Sequence, residues 1–484
     1  MDSLPGSTSI ALTSVPETSA RICAYSTTPP LQIPSPSMPL CSLPCRRMTS
    51  LPVKPIREDI GIESPHAAPY LQKQAVFGVC LFILLAYCTS VAFVPQAWAT
   101  QFFQIGIFTL VAVCLLLDIR RKRSRLPGGP MPWLIYAIPF WGVFQIVAHT
   151  TASTVETREA TLRWGALAGV FFLTQVVART NTARRNFLTA FLAFATAMAV
   201  LCMTQLFTSD GRVLWIFPSG FPDVYATFPS YNHYAELIEV ALPIGLWRAV
   251  REGWRAWWCV LAGGVMYGSV IGSASRTGAL LCTLEVLAML VVGLVNFRKG
   301  SSTAPPGFAV AILLLVPALA GSFTLVVGWE RVWQRFQLNG LYGARSEFIM
   351  AAMDMAEHRP ITGYGLGTFP EVYQRYALHD LPFYANHAHN DWAEFAADGG
   401  FPFLLLVLIP FAAAIPAAMR NPWGMGLIAV MVHACVDFPF PRAAVSCWMF
   451  AMLGLIYMAE WGSRNSRPLV MPPIKTKTGT HQSK

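Results

Sequence analysis

Residues 278–297 read GALLCTLEVLAMLVVGLVNF, with Glu285 the one charged residue among them. The run has the length of one bilayer crossing, roughly 17–25 residues. A short polar turn, Ser273-Ala-Ser-Arg276-Thr, precedes it, and Arg298-Lys299 closes it. Comparable apolar runs lie at 75–94, 101–118, 132–150, 163–179, 187–207, 234–250, 256–274, 307–328, 401–419, 422–438 and 443–460. The periodicity and lengths predict an all-α membrane protein of about twelve transmembrane helices, with one long loop, 329–400, between helices nine and ten.

Composition supports this. The chain has 484 residues, 54% hydrophobic and 12% charged, with a mean hydropathy of +0.48. Soluble domains carry about 25% charged residues, so a set of soluble domains is excluded. The net charge of +10 does not describe a nucleic-acid groove, because the basic residues sit in short segments between apolar runs. After the even-numbered runs come Arg120, Arg121, Lys122, Arg123 and Arg125, then Arg179, Arg184 and Arg185, then Arg248, Arg251 and Arg255, then Arg298 and Lys299, then Arg420. Short loops after the odd-numbered runs are nearly free of them. By the positive-inside rule both termini are expected in the cytoplasm, and the 329–400 loop on the far side.

Residues 1–74 hold 12 of the 36 prolines with many Ser and Thr. Such a segment buries too little apolar surface to order itself and is expected to be disordered. It lacks the form of a signal peptide, and Met48 is an alternative start. The membrane domain is expected over 75–460, followed by a basic tail, 461–484. The 11 cysteines form no disulfide or metal pattern and read as small buried hydrophobes.

Polar groups in a membrane are costly unless paired or used, so ionisable residues near its boundary are the functional candidates. Arg276 sits in the turn between two apolar runs. A guanidinium there suits a phosphate, or snorkels to lipid headgroups. Residues 345–357 have apolar positions at helical spacing, and Arg345 near the start of that helix opposes the macrodipole, as a ligand-directed or a solvated cation would. Pro360 ends the helix, and Gly363-Tyr-Gly365-Leu-Gly367 follows as a turn through which backbone could approach a substrate. Then comes Asn386-His387-Ala-His389-Asn390-Asp391-Trp392, with Glu394, Asp398, Gly399 and Gly400 beyond. Here a histidine could act as general base. A His-x-His metal pair is the alternative reading, but no third ligand stands at a characteristic spacing. Asn232 and His233 lie at the same boundary ahead of the sixth run, among aromatic residues typical of an interface belt. No nucleotide-binding loop or metalloprotease motif is present.

These residues resemble the O-antigen ligase family and the related polysaccharide polymerases. The resemblance spans about residues 75–460 and rests on four stretches in order. They are Asn232-His233-Tyr234-Ala235, Ser275-Arg276-Thr-Gly278, Arg345 through Glu357-His358-Arg359-Pro360 to Gly363-Tyr-Gly365-Leu-Gly367-Thr-Phe369, and His389-Asn390 nine residues before Gly400. Two departures stand out: Trp392-Ala393 replaces an aromatic residue followed by leucine, and Asp398 replaces the commoner glutamate. The resemblance implies a multi-pass glycosyltransferase of the bacterial inner membrane, acting in lipopolysaccharide or other cell-envelope polysaccharide biosynthesis. Its donor would be a glycan on polyprenyl (undecaprenyl) diphosphate and its acceptor a lipid A-core or similar lipid or glycan, without metal, nucleotide or other cofactor. By the same resemblance Arg276, Arg345 and His389 are the catalytic candidates, with Asn232, His233, His387, Asn390, Gly365 and Gly367 near substrate. A chain polymerase and a protein oligosaccharyltransferase share these motifs. A transporter is the reading from a different class, but it would want more charged residues within spans than Glu236, Glu239, Glu285 and Asp437.

Overall fold

The computed structural model describes residues 68–121, 130–219, 223–298, 306–327, 330, 333–334, 342–379 and 385–465. The two expected tails fall largely outside these residues. What is described is almost wholly helical: α1 Ala68–Ser90, α2 Ala97–Arg121, α3 Pro130–Val147, α4 Thr154–Val177, α5 Asn181–Thr208, α6 Tyr231–Glu252, α7 Trp257–Ser273, α8 Arg276–Arg298 and α9 Pro306–Val327, then α10 Tyr342–His358, α11 Phe369–Tyr373, α12 Asp391–Arg420, α13 Gly426–His433 and α14 Ala443–Asn465. A two-residue hairpin, β1 Arg212–Val213 with β2 Phe217–Pro218, interrupts the α5–α6 connection.

Among the described residues, eight helical stretches are long and apolar enough to cross a membrane. One is the Tyr231–Ser273 stretch, in which a turn at Gly253–Ala256 separates α6 from α7. Gly263 of α7 stands so close to Leu246 and Leu242 of α6 that a Cβ there would lie 3.4 Å and 3.8 Å from their side chains. Helices start where local chemistry supplies a cap. Ser153, Thr180, Ser230 and Asn390 each accept a backbone N–H from the first turn they precede, meeting donors that a helix leaves unpaired.

The expected span over 422–438 is not one helix. After the turn Pro422–Gly424, α13 stops at His433, and an irregular run leads to α14. Pro439 and Pro441 lack the amide donors a helix needs and restrict the residues before them. The Asp437 side chain accepts the Phe438 amide at 3.1 Å, a local bond that competes with helix. The run still returns along α12. Ala434 accepts the Asp391 amide at the start of α12 at 2.9 Å, whereas Pro422 follows directly on its end.

Helices α4, α6 and α14 form the centre, and α6 is buried on every side, from Asn232 to Leu246. It carries Asn232, His233, Glu236 and Glu239 into that interior, where polar groups need partners. Trp448 of α14 stacks on Phe191 with ring centroids 4.0 Å apart, and Phe82 meets the same indole edge-on. Trp164 of α4 meets Phe395, Phe403, Phe440 and Phe450, which ties α12, the irregular run and α14 together.

The expected helix over 345–357 is α10, and its inward face is Phe348, Ala351, Ala352 and Met355, with Met350 and Met353 exposed. That face joins Tyr364, Phe369, Val372, Tyr373, Ala388 and Ala397 in a second, smaller core. The described part of the expected long loop is therefore a packed subdomain seated on the start of α12.

Two ends of the bundle differ in chemistry. At one, Arg185 of α5 pairs with Glu252 of α6 at 3.1 Å and Arg420 of α12 with Glu460 of α14 at 3.0 Å, while Arg184 reaches the Met458 carbonyl at 3.3 Å. The other end gathers the starts of α6, α8 and α12 with the irregular run, and there the candidate residues collect.

Candidate active site

The arrangement begins at the α7–α8 reversal. Ala274 takes the left-handed conformation (φ 59°), which turns the chain sharply and places Ser275 at the head of α8. The Ser275 hydroxyl accepts the Gly278 amide at 3.2 Å, as a helix cap does, and donates to Asn232 Oδ1 at 2.8 Å. The amide of Asn232 then donates to Asp437 Oδ2. On its other oxygen, Asp437 accepts the Phe438 amide and faces His389 Nδ1 at 3.2 Å. Each hydroxyl and amide orientation in this chain is fixed by the next, so the buried carboxylate must accept from His389 Nδ1–H. That tautomer leaves Nε2 as the proton-accepting atom.

Burial pushes the Asp437 carboxyl up, but the His389 hydrogen bond outweighs it, together with the electrostatic influence of His233, His389 and the Arg345 guanidinium. The group is held well below the usual carboxylate range. Arg345 reaches this point by donating from Nη1 to the Val436 carbonyl at 3.3 Å. Arg276 is half-buried in the first turn of α8, directly after Ser275. Two of the three expected catalytic residues, His389 and Arg345, thus contact Asp437 and its neighbour directly, and Arg276 follows Ser275 in the chain.

Phe438 organises the imidazoles. His387 stacks on it at 4.3 Å, while His233 and His389 meet its edge at 4.7 Å and 4.8 Å. Arg442 lies over the same ring at 5.0 Å. His233 is held by Glu236 Oε2 at 3.0 Å, and His387 by Glu394 Oε1 at 2.9 Å. Burial, the largest influence, lowers the His387 pKa; Glu394 works against this, and the Arg442 and Arg163 charges add to it.

The other expected substrate contacts have structural partners. Asn390 caps α12 through the Ala393 amide at 3.0 Å. The glycine turn is a joint: Gly365 N–H donates to the Asp398 carbonyl at 2.8 Å and Gly367 N–H to Asp398 Oδ2 at 2.7 Å. A Cβ on Gly365 would fall 2.1 Å from the Thr151 hydroxyl. Gly363 has φ +63°, and a Cβ there would lie 2.3 Å from the Asp398 carbonyl oxygen. Gln145 of α3 seals this joint, donating to the Thr362 and Asp398 carbonyls at 2.6 and 2.8 Å and accepting the Leu366 amide at 3.0 Å. The close backbone approach that these glycines permit is therefore to the chain itself.

Asp437, Phe438 and Arg442 are the residues that the sequence reading did not place in the site. The signal for Asp437 was an acid inside an apolar run, a costly position unless the group is used.

Residues 261–408 of the chain match the family model described as O-antigen ligase. That segment holds Arg276, Arg345 and His389, and stops before Asp437. No curated protein matches the chain.

Proposed function

We propose that the chain transfers a glycan from a polyprenyl-diphosphate carrier to a hydroxyl of a lipid A-core or similar acceptor, at the outer face of the bacterial inner membrane. The observation that carries this reading is the His389–Asp437 contact at 3.2 Å, with Arg345 held at the neighbouring Val436 carbonyl and Arg276, Arg345 and His389 all on the segment with family likeness. As the acceptor oxygen bonds to the donor sugar's anomeric carbon, the bond from that carbon to the diphosphate oxygen breaks. The acceptor proton passes to His389 Nε2, a task for a neutral imidazole near neutral pH. The diphosphate gains charge as it leaves. Arg276 and Arg345 stabilise it there, the kind of preorganised electrostatic contribution that dominates many enzymes. A single displacement inverts the anomeric carbon.

The accompanying topology is about twelve crossings with both termini cytoplasmic. The alternation of basic residues along the chain supports it, as does the grouping of Arg185, Arg420 and their partners at the end opposite the histidines.

The test is transfer by the purified protein from a defined polyprenyl-diphosphate glycan. One donor glycan appearing on a lipid A-core acceptor is the expected result. A ladder of lengthened donor without acceptor would make the chain a polymerase, and no transfer to any hydroxyl would overturn the reading.

A further inference from the structure

Arg442 stands in the irregular run between α13 and α14, and the transfer described above gives it no task. Its backbone is fixed. The Arg442 amide donates to the Pro439 carbonyl at 3.3 Å, and its own carbonyl accepts the Val445 and Ser446 amides at 2.9 Å and the Ser446 hydroxyl at 3.1 Å. Pro439 and Pro441 stiffen the approach. The residue is exposed, and its guanidinium lies over the Phe438 ring at 5.0 Å.

Among the described residues that guanidinium makes no hydrogen bond and no ion pair. The acids around it are engaged elsewhere. Glu394 holds His387 Nδ1 and the Ala388 amide, and Asp437 accepts from Asn232, His389 and the Phe438 amide. A planar fork of N–H donors is therefore left to solvent. The placement is also unfavourable in itself, because a cation at the start of α14 opposes that helix's macrodipole.

Three side chains meet the irregular run in order. Arg345 reaches Val436, His389 reaches Asp437, and Arg442 lies on Phe438. Along that run, the contact of the base falls between those of the two cations. His389 meets the edge of the Phe438 ring at 4.8 Å, so one or two sugar rings span from a hydroxyl at His389 to the Arg442 guanidinium. In a single displacement the entering oxygen approaches the anomeric carbon from the side opposite the leaving group. With the diphosphate held by Arg276 and Arg345, the acceptor enters past the other cation.

We propose that Arg442 binds a phosphate group of the acceptor glycan, beside the hydroxyl that His389 activates. The proposal rests on the transferase reading and names a feature of its acceptor. A phosphate monoester brings about two negative charges and three acceptor oxygens, which a guanidinium fork meets two at a time. The Phe438 face orients that fork.

The test is binding, measured by calorimetry on the full-length protein in detergent with no donor present. The probes are a phosphorylated core oligosaccharide and the same oligosaccharide after phosphatase treatment. The native protein should bind the phosphorylated form roughly tenfold or more tightly, the size of one charge-assisted contact. Arg442→Gln should lose that preference, and Arg345→Gln should retain it. No preference in the native protein would overturn the proposal, and so would a preference that survives Arg442→Gln. Should Arg442→Gln fail to fold, Arg442→Lys decides, since it keeps the charge and loses the fork. An undiminished preference there overturns the proposal. A preference lost with Arg442, in a protein that transfers no glycan, would keep the phosphate contact and remove the transferase reading. Transfer without the preference would do the reverse.

Discussion

His389 and Asp437 lie 48 positions apart in the chain, and the fold sets His389 Nδ1 3.2 Å from Asp437 Oδ1. His389 holds the left-handed backbone conformation (φ 52°), and its ring lies parallel to Phe348 with centroids 6.2 Å apart. Asp437 is fixed in turn by Asn232, Ser275 and its own neighbour's amide. An imidazole oriented from both sides in this way would need little reorganisation to serve as the proposed base.

Asp437→Asn keeps the shape of the carboxylate and removes its charge. Its amide keeps one accepting oxygen: turned to Asn232, it sets an NH2 donor against His389 Nδ1, and turned to His389, it loses the Asn232 hydrogen bond. The tautomer that frees Nε2 is then no longer enforced. Transfer should fall about 10²–10³-fold, within the range ascribed to general acid–base catalysis, while the folded protein keeps its helical circular dichroism. Transfer assays on purified protein check this, and a rate within twofold of native would remove Asp437 from the account.

Gly278 lets α8 approach α6. A Cβ there would stand 2.5 Å from the Ala235 Cβ, and neither methyl can rotate away. Gly278→Ala should cost roughly 1–3 kcal/mol as an overpacked contact. It should also pull Ser275 from Asn232, so the thermal midpoint and the transfer rate drop together. An unchanged midpoint would show that the helices part freely here.

Gln145 joins α3 to the Thr362–Leu366 turn and to Asp398 by three hydrogen bonds to backbone groups. Gln145→Leu leaves those groups unpaired, at about 1–3 kcal/mol for each that water cannot reach. The yield of folded protein should fall sharply, with the rate per folded molecule little altered. Size-exclusion profiles alongside specific transfer rates distinguish this from a direct role in substrate binding.

His387 gives a pH dependence of known sign. Its folded pKa lies below the ordinary imidazole value because burial disfavours the charged ring. Between the folded value and the unfolded value of about 6.5, the unfolded chain binds more protons, so stability rises with pH. The contribution is whole above the unfolded value and is lost as pH falls below it. The thermal midpoint of the native protein should therefore decline more steeply from pH 7 to pH 5 than that of His387→Gln. Parallel curves would contradict the assignment.

Much of this was legible in the chain. Apolar runs of bilayer length located the long helices, and the spacing of Phe348, Ala351, Ala352 and Met355 gave α10 its face. Arg276, Arg345 and His389 stood out as candidates because charge at a membrane boundary is rare without use. Asp437 was hidden by its setting. Averaged over 422–438 it reads as one acid in a crossing, and only tertiary contact shows that the helix ends at His433 and delivers the carboxylate to His389. The glycine turn needed the fold for a related reason. Local sequence shows that backbone can come close there, and cannot show that the neighbour is Asp398 rather than substrate.

The most direct test of the central claim is the transfer rate of purified His389→Ala with a polyprenyl-diphosphate glycan and a lipid A-core acceptor. Donor binding should persist through Arg276 and Arg345, and the rate should fall by about 10²–10⁴-fold. A rate equal to that of the native protein would contradict the assignment of His389 as the general base.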